Sequence, residues 1–258
     1  MPLTTFIMID GLRPDAIAGH CPTLQAVMAR GAFTLRATSV MPSITLPCHT
    51  SIFQGVPPAR HGITTNEWHP LARPLPGLVD VVHAAGQRCA FFYNWEPLRD
   101  LSRPTHLAYS YFKDCAYSRD GDEWVVDEAA RIIPGASLDL AFVYFGTVDT
   151  AGHDFGWMSP GYLQQAERVD AALGRLLRAL PADGHVLIQA DHGGHGRTHG
   201  TDSPEDMLIP WVVAGPRVRQ NHAIEAAVSL LDTTPTLAHL LGLKPHPMWE
   251  GKVVEEIF

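Results

Sequence analysis

Apolar residues in this chain crowd into short, nearly unbroken runs separated by longer polar or periodic stretches. Leu3–Ile9, Thr34–Val40, Arg88–Tyr93, Leu138–Phe145, His185–Ala190 and Leu208–Ala214 all have the length of a strand. Runs of this kind read as strands buried on both faces of a sheet. The segments between them have a different period. Thr23–Arg30 has helical spacing and stops at Gly31, a residue suited to the left-handed turn that ends a helix. Cys48–Gln54, Leu78–Ala85, Asp122–Ile133 and Asp232–Gly242 read as further helices, with Pro42–Pro47 as a loop. Ser159-Pro160 opens the longest one, whose apolar face is Tyr162, Ala166, Val169, Leu173, Leu176, Leu177 and Leu180. Strands alternating with helices predict an α/β fold, a three-layer α/β/α sandwich around a mainly parallel sheet. One domain over residues 1–258 is expected, with a variable loop region around 94–135.

Composition removes several classes of function. Hydrophobic residues make up 46% and charged ones 18%, too apolar for a disordered chain. Lys and Arg number 19 against 27 Asp and Glu, a net charge of -8 without any basic block, so no nucleic-acid duplex is expected as a partner. No apolar run approaches the roughly 20 residues of a membrane span. Cys21, Cys48, Cys89 and Cys115 form no C-x-x-C pair, and a strand begins almost at Met1 with no signal peptide before it. Free thiols and a cytoplasmic location are the expectation. The 14 histidines point the other way, toward a function: metals or acid–base chemistry.

Those histidines are not scattered evenly. In open α/β sheets ligands gather beyond the carboxyl ends of strands. The first strand ends in Asp10; the strand 138–145 leads to Asp149 and His153; the strand 185–190 runs into Asp191-His192, with His195 and His199 on the glycine-rich stretch beyond it. Carboxylates and imidazoles are the groups that a divalent metal such as zinc takes. Three segments delivering them to one sheet edge suit one ion, and the number of groups suits two.

Longer motifs make the pattern specific. Asp10-Gly-Leu-Arg-Pro-Asp15, Pro42-Ser-Ile-Thr45-Leu-Pro47-Cys-His49, Asp149-Thr-Ala-Gly-His153, Ala190-Asp-His-Gly193 and His199-Gly-Thr-Asp202 occur in order. Together with Arg60-His-Gly-Ile63, Asn66 and Leu231-Asp-Thr-Thr-Pro-Thr236, they resemble the alkaline phosphatase superfamily, closest to its nucleotide pyrophosphatase/phosphodiesterase branch. The resemblance implies that fold and two bound divalent ions, zinc first, manganese or iron next. Asp10, Thr45, Asp191 and His192 would match the ligands of one ion; Asp149, His153 and His199 would match those of the other. It implies a hydrolase acting on a small phosphodiester, pyrophosphate or phosphonate, with Thr45 as nucleophile and a covalent phosphoryl-threonine intermediate. A phosphomonoesterase, a phosphomutase or a metal-loaded binding protein without turnover are the alternatives.

Thr45 lies just before a helix whose amides and dipole suit an anion, which agrees with that role. Cys48 and Asn66 are the expected contacts to substrate, although Cys48 stands where the branch usually has Asn and a thiol is a weak donor. Cys48 lacks the C-x-P-S-R context of a sulfatase nucleophile. His195 competes with His199 as a ligand. Arg197 lies between His192 and His199 in sequence. Walls for the substrate are expected from Trp68, His69, Tyr93, Trp95, Tyr109, Tyr111 and Trp157.

Overall fold

In the computed structural model, which describes residues 2–71 and 75–258, the apolar runs assemble into one eight-stranded sheet. The chain begins β1 (Thr4–Ile9), α1 (Pro14–His20), α2 (Pro22–Ala29), β2 (Ala32–Thr38), α3 (Thr45–Gln54), α4 (Pro58–His61) and α5 (Leu78–Ala84). It continues β3 (Cys89–Tyr93), β4 (Leu107–Phe112), α6 (Gly121–Ile132), β5 (Leu140–Phe145), α7 (Thr147–Phe155) and α8 (Pro160–Ala179). The last elements are β6 (His185–Gln189), α9 (Pro204–Met207), β7 (Leu208–Ala214), β8 (His222–Ala223) and α10 (Thr233–Leu240). Strand order is β4-β3-β5-β1-β6-β7-β2-β8, and β7 alone runs against its neighbours β6 and β2.

Helices α1, α2, α6, α7 and α8 pack together on one face, and α3, α5 and α10 on the other. This is the expected α/β/α sandwich. β1, at its centre, is buried at every residue, and so are β3, β5 and β6. Phe6, Phe53, Phe91 and Phe142 interlock between the sheet and α3, with ring centroids 5.0–6.0 Å apart. Aromatic pairs at such spacing add about 0.5–1.5 kcal/mol each beyond the area they bury. They fix the helix that carries Thr45. All four cysteines are free thiols.

Several boundaries differ from the sequence reading. Helix α3 starts at Thr45, not Cys48, because Pro47 sits in its first turn, where an N–H has no partner within the helix anyway. Thr45 is therefore a helical residue, held by the helix and not by a loop. Helices α1, α4, α7 and α9 and the edge strands β4 and β8 have no counterpart in the sequence pattern. The stretch 94–120 holds β4, whose residues alternate half-buried and exposed along its length. Tyr93, Tyr109 and Tyr111 belong to the β3–β4 margin of the sheet, where Phe92 packs on Tyr109 and the Tyr109 hydroxyl donates to Glu128. Among the described residues, no helix is long and apolar enough to cross a membrane.

Candidate active site

Two groups of ligand-type side chains stand at the carboxyl ends of β1, β5 and β6. The inner group is Asp10, Asp191 and His192; the outer group is Asp149, His153 and His199. Within each group the ligand atoms lie within 4.8 Å of one another. Asp10 comes directly after β1, and Asp191-His192 come one residue beyond β6, its neighbour in the sheet. Asp149 and His153 share one face of α7, a turn apart. His199 comes from the segment after β6. Gly11 permits the close approach of these pieces: its φ is +69°, and a Cβ there would come within 2.9 Å of Asp149 Cα.

Every imidazole in the two groups presents Nε2 inward. His192 Nε2 lies 3.3 Å from both Asp10 Oδ1 and Asp191 Oδ2. Asp149 lies between the other two rings, 3.5 Å from His153 Nε2 and 3.6 Å from His199 Nε2. On the far side of each ring, Nδ1 donates to a backbone carbonyl: Gly193 for His192 (2.8 Å), Arg197 for His153 (3.0 Å) and Ser43 for His199 (2.8 Å). Such a bond fixes the tautomer that leaves Nε2 with a lone pair, as metal-binding histidines require. The His192 and His199 rings stack at 3.8 Å, joining the two groups.

The carboxylates are under electrostatic load. Burial, reinforced by Asp191, pushes Asp10 well above the usual carboxylate range, with His192 pulling the other way. Burial and then Asp10 raise Asp149 to about 8, and burial and then Asp149 raise Asp191 to about 7. Burial and then the neighbouring His192 lower His199 to about 3. Asp10 Oδ1, Asp149 Oδ1 and Asp191 Oδ2 are buried oxygens with no hydrogen-bond partner in the protein. Orphaned carboxylate oxygens facing imidazole lone pairs fit divalent cations: the donors are hard oxygen and borderline nitrogen, and a cation removes the mutual repulsion. Three carboxylates and three imidazoles exceed one tetrahedral shell.

Thr45 is drawn to the inner group, with Oγ1 3.2 Å from His192 Nε2. One turn on, His49 donates through Nδ1 to the Thr45 carbonyl at 2.8 Å and lies 3.5 Å from Asp191 Oδ2. Burial lowers His49 to about 3, so it is a neutral strut. Asn66 Oδ1 accepts the Leu46 N–H at 2.9 Å, which puts its carboxamide at the start of α3 beside Thr45. Cys48 is not so placed: it is fully buried, with its thiol against Ser39 Oγ (3.3 Å) and the Pro42 carbonyl. The expected substrate contact from Cys48 is corrected on that ground, since its sulfur packs beneath the inner group. His195 is outside both groups and pairs with Asp206. Arg197 is exposed and lends its carbonyl to His153. Trp157 is buried under the outer group, with Nε1 donating to the Gly11 carbonyl.

Three supporting residues were missed. The Tyr144 hydroxyl donates to Asp10 Oδ2. Asp122 accepts from Asn94, from the Gly146 and Thr147 amides and from the Thr147 hydroxyl, at the start of α7. Asp206 is the third. Tyr144 and Asp122 reach partners distant in sequence, Asp206 reaches partners 5 and 11 residues back, and no local pattern marks any of them.

The chain and its fold have counterparts among known proteins. Residues 4–197 match the model of the type I phosphodiesterase / nucleotide pyrophosphatase family. A 2,3-bisphosphoglycerate-independent phosphoglycerate mutase of Acinetobacter baylyi is 31% identical over 137 residues, covering 50% of this chain and 25% of the mutase. The match therefore spans about a quarter of that relative's length. Human ectonucleotide pyrophosphatase / phosphodiesterase 5 superposes with a TM-score of 0.83 at 16% identity, over 98% of this chain and 97% of that one. A phosphonate monoester hydrolase of Silicibacter pomeroyi superposes with a TM-score of 0.78 at 18% identity, over 98% and 75%. At such identities the superpositions speak for a shared fold. The family match covers most of the chain and contains every residue of the two groups but His199: the protein belongs to the type I phosphodiesterase / nucleotide pyrophosphatase family, within the alkaline phosphatase superfamily.

Proposed function

We propose that this protein is a two-metal phosphoesterase that hydrolyses a small phosphodiester, pyrophosphate or phosphonate, with Thr45 as nucleophile. The observation that carries the reading is Thr45 itself, a hydroxyl in the first turn of α3 and 3.2 Å from His192 Nε2. Asp10, Thr45, Asp191 and His192 would hold one divalent ion, and Asp149, His153 and His199 the other. Bound there, such ions neutralise phosphoryl charge and favour the alkoxide of a hydroxyl at neutral pH.

The protein's own groups supply the rest. Helix α3 holds Thr45 rigidly, and the positive end of its dipole favours an anion over it, although its first-turn Leu46 and Cys48 amides are already taken by Asn66 Oδ1 and the Ile44 carbonyl. Asn66, anchored by Oδ1 on the Leu46 amide, offers its Nδ2 donors to a phosphoryl oxygen. Thr45 Oγ1 attacks phosphorus in line, the leaving oxygen departs toward the outer group, and the phosphoryl-threonine is then hydrolysed by water. Zinc is the expected metal, from the imidazole and carboxylate donors. A mutase or monoesterase reading has one observation in its favour, the similarity to a phosphoglycerate mutase.

Trapping tests the proposal. Acid-quenched turnover of an aryl phosphodiester should leave a phosphoryl-bearing adduct on the peptide containing Thr45, detected by mass spectrometry. No adduct, together with a Thr45→Ala variant active within about tenfold of the parent, overturns it. Assaying aryl diesters, monoesters, sulfates and phosphonates beside sugar-phosphate isomerisation separates the hydrolase from the mutase.

A further inference from the structure

The two imidazoles of the outer group share a support. His153 Nδ1 donates to the Arg197 carbonyl, and Arg197 sits in a tight turn closed by paired backbone bonds between His195 and Thr198 (2.9 and 3.0 Å). Gly196, at the turn, has φ +52°. His199 comes directly after, and its Nδ1 donates to the Ser43 carbonyl. Ser43 is tied to the same segment, because its hydroxyl donates to the Thr201 carbonyl at 2.7 Å.

Both ends of this segment converge on one carboxylate. Asp206, fully buried at the end of α9, accepts His195 Nδ1 on Oδ1 (2.7 Å) and the Thr201 amide and hydroxyl on Oδ2 (2.9 and 2.7 Å). Its own carbonyl accepts the Gly193 N–H, and that of Glu205 accepts the Gly194 N–H. Asp206 thus grips the chain before His199, through His195, and after it, through Thr201. The inner group does not depend on the Asp206 side chain: His192 leans on its neighbour Gly193, which meets only the backbone carbonyl of Asp206, and Asp10 leans on Tyr144. The Trp157 backbone N–H donates to the Gly196 carbonyl, so the turn is also docked against the α7–α8 junction.

We propose that Asp206, acting through His195 and Thr201, is a positioning residue for the outer metal site, holding His199 and the carbonyl that orients His153, while leaving the inner site independent of it. The inference rests on the two-metal reading above. Partners that orient metal-bound imidazoles are worth about 10–100-fold in metal affinity. The loss from breaking the clamp belongs to one site.

The test is metal titration of the full chain with zinc, read as stoichiometry and affinity by metal analysis and calorimetry. Wild type should bind two equivalents, and His195→Ala should bind the second about 10–100-fold more weakly with the first unchanged. Asp206→Ala should do the same more strongly, and Asp206→Asn, which keeps one acceptor, should fall between. Because Asp206 is buried and its alanine variant has a route to misfolding, His195→Ala decides if that variant is unstable. In a His153→Ala background, where the outer site is already weakened, His195→Ala should change the remaining zinc affinity less than about twofold; in a His192→Ala background it should weaken the zinc binding that remains.

Thermal unfolding of the metal-free proteins separates clamp from scaffold: His195→Ala should lower Tm by no more than a few degrees. Two equal, unchanged affinities in His195→Ala, or equal loss from both sites, overturn the proposal. Wild type binding a single zinc at saturation overturns the two-metal reading instead.

Discussion

The inner and outer ligand groups use similar side chains in contrasting surroundings. Asp10, Asp191 and His192 are enclosed, each side chain at most 2% exposed, and they project from the ends of adjacent strands. In the outer group His153 is 44% exposed and Asp149 16%, and the backbone beneath them is a short helix and a turn. The inner group borrows its rigidity from the sheet. The outer group has to be braced, by Asp122 at the start of α7 and by Asp206 under the 195–198 turn. Strand ends come with positional precision; loops acquire it only through extra hydrogen bonds.

Thr45→Ala breaks the contrast most sharply. It should cost several powers of ten in kcat, as removal of a nucleophile from an interdependent set does, while both metal affinities stay within reach of wild type. Steady-state assays beside metal analysis check it. Deleting one imidazole from each group comes next. His192→Ala opens a cavity in a fully buried layer and should destabilise the metal-free fold by about 2–4 kcal/mol, whereas His153→Ala, half in solvent, should cost less than about 1 kcal/mol. Urea unfolding of both variants measures the difference, and equal losses would mean that burial does not separate the groups.

The brace on α7 has its own signature. Burial raises the Asp122 carboxyl to about 6, against hydrogen bonds from Thr147, Asn94 and Gly146 that lower it. The folded state therefore holds that proton more tightly than the unfolded chain. The group's contribution to stability is complete below about pH 4, is lost as pH rises toward 6 and beyond, and amounts to about 3 kcal/mol. Denaturation at pH 4 and pH 7 should show wild type losing about that much relative to Asp122→Asn, which does not titrate. A flat difference removes Asp122 as a buried, ionisable brace.

The smallest effect concerns the open side. Among the described residues, Asp10, Asp149 and Asp191 have only histidines as ion-pair partners. With so little positive charge beyond any metal held there, the extra charge of a monoester would be poorly compensated. An aryl phosphodiester should exceed the matched monoester in kcat/KM by at least about tenfold, about 1.4 kcal/mol. A monoester preference that disappears in Arg197→Ala would identify that exposed guanidinium as a phosphate partner.

The legibility of the site in the sequence divides along the same line. Asp10 and Asp191-His192 could be read because apolar runs announce where strands end, and the residues just past a strand end stand at the sheet edge. Asp149 and His153 were legible as a spaced pair, yet the helix beneath them was not: Thr147–Phe155 is short, contains Gly152, and starts on a carboxylate 25 residues away. The α3 boundary was displaced by Pro47, which reads as loop although a first helical turn tolerates it. Tyr144, Asp122 and Asp206 have no motif at all, since their work is done through contacts across 134, 24 and 11 residues. Cys48 has its expected role only from its place in a motif; packing shows its sulfur turned inward.

The position of β1 between β5 and β6 bears on how the chain reaches this state. The Gly11 amide that accompanies Asp10 meets Asp191 across 180 residues, whereas His153 meets the Arg197 carbonyl across 44. Closing the longer loop costs about 1 kcal/mol more in chain entropy, before any contact is formed to offset it. In synthesis β1 is made before both of its neighbours, and its slot does not exist until β6 has emerged after β5. Asp10 is the first of the six residues to be made and waits longest for its partners, and the inner group cannot assemble until β6 is in place beside β1.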